Sequence, residues 1–386
     1  MFRSIVLKFL FLTLFLAFSG VAYSTQSPHC TQTQIPLGGF CIELNKANNS
    51  IEIYDGLKGG SSIFSTWGDS PIQAKKVDSE FEYDRGSFLV KEDLLQTCRM
   101  ERFDYVEKPS AEEIKLTGAF DQTCQPGLKF NIRLSPSEFG HLNLDISLDG
   151  GDGDWRVFIS YRSPEHERLV GFGEQYTHFN MKGKRLPILS QEQGHGRGQQ
   201  PLTSLLDLAG HSQGDWHTTY ASIPHYISSL GRSLYLRNKE YSVFDMTAKD
   251  YVAIEVDSTH LAVSLLGKGN PKELIRSYTK YSGRMSPLPS WTQKGAIVCL
   301  MGGEQKVRAN LQSLIEGEVP IAGVWIQDWV GSRDTFFGTR MNWNWQADPD
   351  SYRNLPGLIQ EINTLGIEVL GYINPYLSET SESIWE

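Results

Sequence analysis

Arg340 and Trp343 stand three residues apart in a polar, aromatic-rich stretch, FFGTRMNWNW (336–345). A guanidinium presents fixed donors suited to the oxygens of a carboxylate, phosphate or sulfonate. An indole N–H donates and cannot accept, which suits an acceptor-only group. The pair fits a clamp for a tetrahedral anion; the competing reading is surface stacking or a structural ion pair. Just upstream, Gln327 and Asp328 of GVWIQDW (323–329) could hydrogen-bond sugar hydroxyls or form a satisfied polar layer. Trp325, Trp329 and Trp345 could stack on a sugar face or pack into a core. No nucleophile constellation stands out. The G-x-S-x-G elbow is missing, and Cys299, inside an apolar run, reads as an inert core thiol.

Other motifs carry less chemistry. The glycine-rich runs GFGE (171–174) and QEQGHGR (191–197) lack the strand, loop and helix context of a phosphate cradle. His195 has no companion ligands at metal-site spacing. The second run is expected to reach toward the neighbouring domain's site. DGGDGD (149–154) reads as a hairpin turn, because its carboxylate spacing is not that of a calcium loop.

The elements that must hold these residues fall into two rhythms. From about residue 34 to 268, short runs alternate apolar and polar residues, as at 128–134, 142–148, 233–236, 252–256 and 261–266. That pattern predicts an antiparallel β-sandwich. Asn270, Pro271 and Glu273 then open a helix over 270–283, as N-cap, first position and capping-box partner. A Pro-rich joint, SPLPSW (286–291), marks a domain boundary, giving domains 25–285 and 286–386.

Beyond it, strands at 295–300, 323–329 and 367–376 are separated by helical patterns at Val307, Leu311, Leu314, Ile315 and at Leu355, Leu358, Ile359, Ile362. Such a βαβαβ run predicts parallel strands with right-handed crossovers. The turn after the first strand, Leu300 to Glu304, is not a dinucleotide fingerprint. The first three units of a (β/α)8 barrel fit better, with Gln327, Asp328 and Trp329 at the strand end where barrels carry their working residues.

Residues 1–24 have the form of a secretory signal peptide. Arg3 and Lys8 are its basic region, residues 9–18 its apolar run, and Ala22 to Ser24 a small-residue cleavage site. The run falls short of the ~20 residues needed to span a bilayer, so stable membrane insertion is not expected. The expected location is secreted or periplasmic. With a formal charge of −9, the 386-residue chain is a poor nucleic-acid binder. Four of its five cysteines form two close pairs, Cys30 with Cys41 and Cys98 with Cys124, which are disulfide candidates in an oxidising compartment. Unpaired buried thiols are the alternative.

Across roughly residues 30–386 the sequence resembles glycoside hydrolase family 31, the α-glucosidase-like enzymes. Its likeness within the family is closest to the sulfoquinovosidases. The family likeness is carried by GFGE (171–174), YSGRMSPLPSW (281–291) and the three strands, and the sulfoquinovosidase likeness by EQGHGR (192–197), WIQDWVG (325–331), FGTRMNWNW (337–345) and GYINPY (371–376). The resemblance implies a galactose-mutarotase-like sandwich followed by a (β/α)8 barrel, and retaining hydrolysis of α-glycosides of sulfoquinovose, a glucose with a C6 sulfonate. It implies that Gln327 contacts a sugar hydroxyl, that Asp328 faces sugar hydroxyls, and that Arg340 and Trp343 hold the sulfonate. One departure is Met301, which stands where the family carries a glutamine before Gly-Gly and cannot make its hydrogen bond.

The family's nucleophile and acid/base aspartates come from later strands and are expected beyond Glu386. Carboxylates suffice for this reaction, so no metal or organic cofactor is implied. A three-strand piece of a barrel leaves an open edge, so the chain alone is expected to be inactive and aggregation-prone. Two alternatives remain. One is a family 31 α-glucosidase or α-xylosidase acting on neutral sugars; the other is a non-catalytic carbohydrate-binding protein.

Overall fold

The computed structural model describes residues 29–58, 60–84, 86–110, 112–151, 155–210, 214–335, 338–374 and 377. The signal-peptide reading of residues 1–24 lies outside these, as do residues 152–154 of the 149–154 turn and the end of GYINPY. Contacts divide the chain into two compact units, one running to Gly283 and one from Arg284. Among the described residues no helix is long and apolar enough to cross a membrane.

The first unit is antiparallel β. Alternation in the sequence becomes alternation in burial: Leu142–Asp149 buries every second side chain, and Glu113–Phe120 does the same. One sheet has four strands, from Ile35–Leu37 to Ser62–Ser65, and the other has thirteen. The larger sheet folds back on itself. Phe172 meets Phe244 edge-on with ring centroids 5.1 Å apart, and the Tyr161 and Tyr226 hydroxyls are 2.8 Å apart. These pairs join opposite ends of the strand order across one core, which includes Phe130, Ile146, Val157, Ile254 and Val263. The bend is made by one long strand, Ser87–Ser110. Its residues up to Arg99 pair with Ile72–Asp84, and those from Met100 pair with Glu113–Phe120. Short strands were expected here; at 24 and 13 residues, these two are long. A helix at Leu202–Gly210 was not anticipated.

Charge is buried inside this unit. Glu167 and Arg232 form a two-point pair, Nε to Oε1 at 2.8 Å and Nη2 to Oε2 at 2.6 Å. Burial alone would raise the Glu167 carboxyl, but the guanidinium and the Ser163 and Ser228 hydroxyls hold it below the usual carboxylate range. The remaining Arg232 donors reach the carbonyls of Ile63 and Arg162. Two disulfides tie the unit, Cys30–Cys41 and Cys98–Cys124, with Cα atoms 5.5 and 5.3 Å apart. Helix Pro271–Ser282 closes it, with the capping box read from Asn270 and Glu273 present. This helix stacks Tyr278 on His225 at 3.9 Å and presents Ser277 to His141.

The second unit holds β1 (Ala296–Cys299), α1 (Glu304–Glu316), β2 (Ile321–Ile326), β3 (Ser332–Thr335), β4 (Gly338–Met341), α2 (Leu355–Thr364) and β5 (Glu368–Gly371). Strands β1, β2 and β5 are parallel, in the order β1-β2-β5. Their Val298, Val324 and Val369 lie in register and pack with Val307 and Leu311 of α1 and Leu358 and Ile362 of α2. Alternate residues point the other way. Cys299, Trp325 and Leu370 share that second face, and neither helix covers it. The expectation that Cys299 is a buried core thiol is therefore wrong: the thiol is exposed. An apolar run suggests burial on both faces, but the helices here cover only one.

Candidate functional site in the second unit

The C-terminal ends of β1, β2 and β5 lie side by side, and Met301, Gln327 and Asp328 follow the first two. Gln327 follows β2 and is half-buried. Its Oε1 lies 4.0 Å from the Cys299 Sγ at the end of β1. Met301, one turn beyond β1, is 41% exposed, so a thioether rather than an amide faces outward there.

Asp328 is tied down on both carboxylate oxygens. Oδ2 accepts the Gly302 N–H at 2.7 Å, and Oδ1 accepts the Tyr352 hydroxyl. The same hydroxyl accepts the Gly303 N–H at 3.2 Å. Gly302 and Gly303 have φ of +104° and +88°, which only glycine adopts without strain. Burial and the adjacent Asp328 carboxylate push the Tyr352 hydroxyl well above its ordinary pKa, so it remains a donor. Each oxygen of Asp328 keeps a lone pair for a ligand.

An aromatic group stands beside this network. Tyr372, just after β5, lies 5.0 Å from Trp343 and 6.0 Å from Trp325, ring centroid to centroid. Its carbonyl accepts the Trp329 indole N–H at 2.8 Å, and Trp329 packs on the helix-side core. Trp345 donates to the Asn374 carbonyl at 2.9 Å. Trp329 and Trp345 thus donate to backbone carbonyls, and Trp325 and Trp343 both lie near the Tyr372 ring.

Arg340 sits on β4, directly opposite Arg333 on β3. Arg333 turns back to the Met341 carbonyl and the Asn342 Oδ1, at 3.1 and 3.0 Å. Arg340 is exposed and, among the described residues, has no side-chain hydrogen bond or ion pair. Like charges placed opposite each other on a ribbon repel, so an anion at Arg340 would relieve the pair. Sequence reading missed Tyr352 and Tyr372. Tyr372 lies inside the quoted GYINPY, but its ring contacts depend on the fold.

In the first unit, the 191–197 loop is held from three directions. Phe88 N–H donates to Gln191 Oε1, Glu192 N–H to the Gly86 carbonyl, and Arg197 to the Thr218 carbonyl. Arg197 also lies over the Tyr176 ring, and His195 is exposed. Among the described residues no group of three or more His, Cys, Asp or Glu is arranged to hold a metal ion.

No family model matches the sequence. Curated relatives do. A sulfoquinovosidase of Agrobacterium fabrum (strain C58 / ATCC 33970) is 33% identical over 223 residues, 58% of this chain and 33% of that protein. The sulfoquinovosidase of Escherichia coli (strain K12) is 26% identical over 299 residues, 77% of this chain and 43% of that protein. The α-xylosidase XylQ of Lactiplantibacillus pentosus is 23% identical over 221 residues, 56% of this chain and 26% of that protein. Among solved structures, a GH31 family sulfoquinovosidase from E. rectale, bound to the aza-sugar inhibitor IFGSQ, superposes with a TM-score of 0.77 at 25% identity. That match covers 89% of this chain and 50% of the other. The chain thus spans half or less of the length of each of these relatives.

Proposed function

From a chain related to the family 31 glycoside hydrolases and resembling their sulfoquinovosidases, we propose a retaining α-glycoside hydrolase that releases sulfoquinovose from α-sulfoquinovosides. The observation that carries this reading is Arg340, an exposed guanidinium without a partner among the described residues, three residues before a tryptophan in an aromatic group. A sulfonate offers only acceptors, which matches a guanidinium and an indole N–H. Gln327 and Asp328 hold sugar hydroxyls at the ends of the parallel strands. The architecture proposed for the whole protein is a galactose-mutarotase-like sandwich and a (β/α)8 barrel, of which β1, β2 and β5 are three strands. The reaction needs two carboxylates about 5–5.5 Å apart, one attacking the anomeric carbon and one protonating the leaving oxygen; we assign neither role to a residue of this chain. Export through the residue 1–24 signal belongs to the same proposal.

A second reading, a neutral α-glucoside or α-xyloside as substrate, is favoured by Met301 and by the α-xylosidase relative. Arg340→Ala in the natively expressed protein separates the two. Loss of turnover on a chromogenic α-sulfoquinovoside, with turnover on the matching α-glucoside unchanged, supports the sulfonate reading. Equal loss on both, or none on either, sinks it.

A further inference from the structure

We propose that Tyr352 is a positioning residue, whose hydroxyl holds Asp328 and thereby fixes the two loops that flank the sugar-holding residues. This rests on the role given above to Gln327. The bonds form a ring: Gly302 N–H to Asp328, Tyr352 O–H to Asp328, and Gly303 N–H to Tyr352. One carboxylate thus clamps the residue after Gln327 to the residue after Met301. The ring draws on three separate segments, the β1–α1 turn, the end of β2 and the turn before α2. Glu304 N–H donates to the Ser351 carbonyl at 2.9 Å, and Tyr352 N–H to the Asp348 carbonyl at 2.8 Å, so the tyrosine has little freedom to move. Tyr352 is 2% exposed and does not touch a ligand itself; it acts through Asp328. A hydrogen bond to an ionised acceptor from a buried donor is among the stronger ones, and a site holds its ligand well only when the supporting shell is locked.

Tyr352→Phe keeps the ring and volume and removes one oxygen, so it isolates the bond. The test uses this variant, Asp328→Ala, which removes both carboxylate acceptors, and the two together. Two measurements are made: amide hydrogen exchange at Gly302 and Gly303 without ligand, and KM and kcat on an α-sulfoquinovoside with the natively expressed protein. In Tyr352→Phe, exchange at both glycines is expected to quicken and KM to rise about tenfold, with kcat little changed. In the Asp328→Ala background, where the tyrosine hydroxyl has lost its acceptor, the second substitution is expected to add almost nothing, the mark of two groups acting as one. Unchanged exchange at the glycines, or losses that simply add, would overturn the proposal. If wild-type protein turns over no sulfoquinovoside, the sulfonate reading fails on its own, and the exchange result still decides whether Tyr352 anchors the loops.

Discussion

The sandwich unit and the β/α unit treat charge in opposite ways. In the first, Glu167 and Arg232 are buried, matched at two points and capped by carbonyls. In the second, the buried core is apolar, from Val307 to Ile362; the Glu304–Arg308–Glu361 ion pairs lie on its helices, and Gln327 and Asp328 stand just after β2. A buried ion pair that satisfies itself can only support structure. An exposed Arg340 opposite Arg333 is poorly placed for stability and well placed for an anion. On the function proposed above, the first unit serves as scaffold and the second meets the ligand.

The sharpest way to break this contrast is to leave one buried charge alone. Glu167→Ala is expected to cost the sandwich about 3–5 kcal/mol, because Arg232 stays buried without its carboxylate; urea unfolding measures it. A cost below about 1 kcal/mol would mean the pair is not the buried support described here. Next comes the apolar core of the other unit. Leu358→Ala, at a fully buried position, is expected to cost about 3 kcal/mol. The same titration, followed by a probe in that unit, checks it.

A third effect depends on pH. Burial, with a smaller contribution from nearby His141, lowers the His225 pKa from 6.5 to about 4. The folded state thus prefers the neutral ring. Its contribution is fully present above pH 6.5 and is lost as pH falls toward 4, up to roughly 3 kcal/mol. His225→Gln should flatten the stability curve across that window. The smallest effect on stability is expected from Arg340→Ala, within about 0.5 kcal/mol. A large destabilisation there would make Arg340 part of the scaffold and erase the contrast.

Much of this contrast was legible in the residues. Period-two alternation at 142–148 gave a strand, and Asn270, Pro271 and Glu273 gave the capped helix start. Local chemistry dictates these elements. The 4.0 Å approach of Cys299 to Gln327 and the bond from Tyr352 to Asp328 were not legible, because they join residues 28 and 24 positions apart. Only the parallel register brings those strand ends together. Cys299 was misread for a related reason: composition tells that a strand is apolar, not how many of its faces are covered. The site residues named from the resemblance do converge in part, with Gln327, Asp328 and Met301 at adjoining strand ends. What sequence could not supply was the tyrosine that ties two of those ends.

The long strand Ser87–Ser110 and its neighbours also constrain how the chain can be made. Strand Ile72–Asp84 needs Trp155–Arg162 beside it, and that strand needs Tyr251–Val256. The Lys75–Glu255 contact across this group joins residues 180 positions apart. At about 5–20 residues per second, a ribosome takes on the order of ten seconds or more to supply the missing side. Throughout that interval the emerging amino-terminal strands present an unfinished rim, the kind of surface that chaperones recognise. Within the β/α unit the parallel pairs β1–β2 and β2–β5 each form across one helix, a far shorter separation.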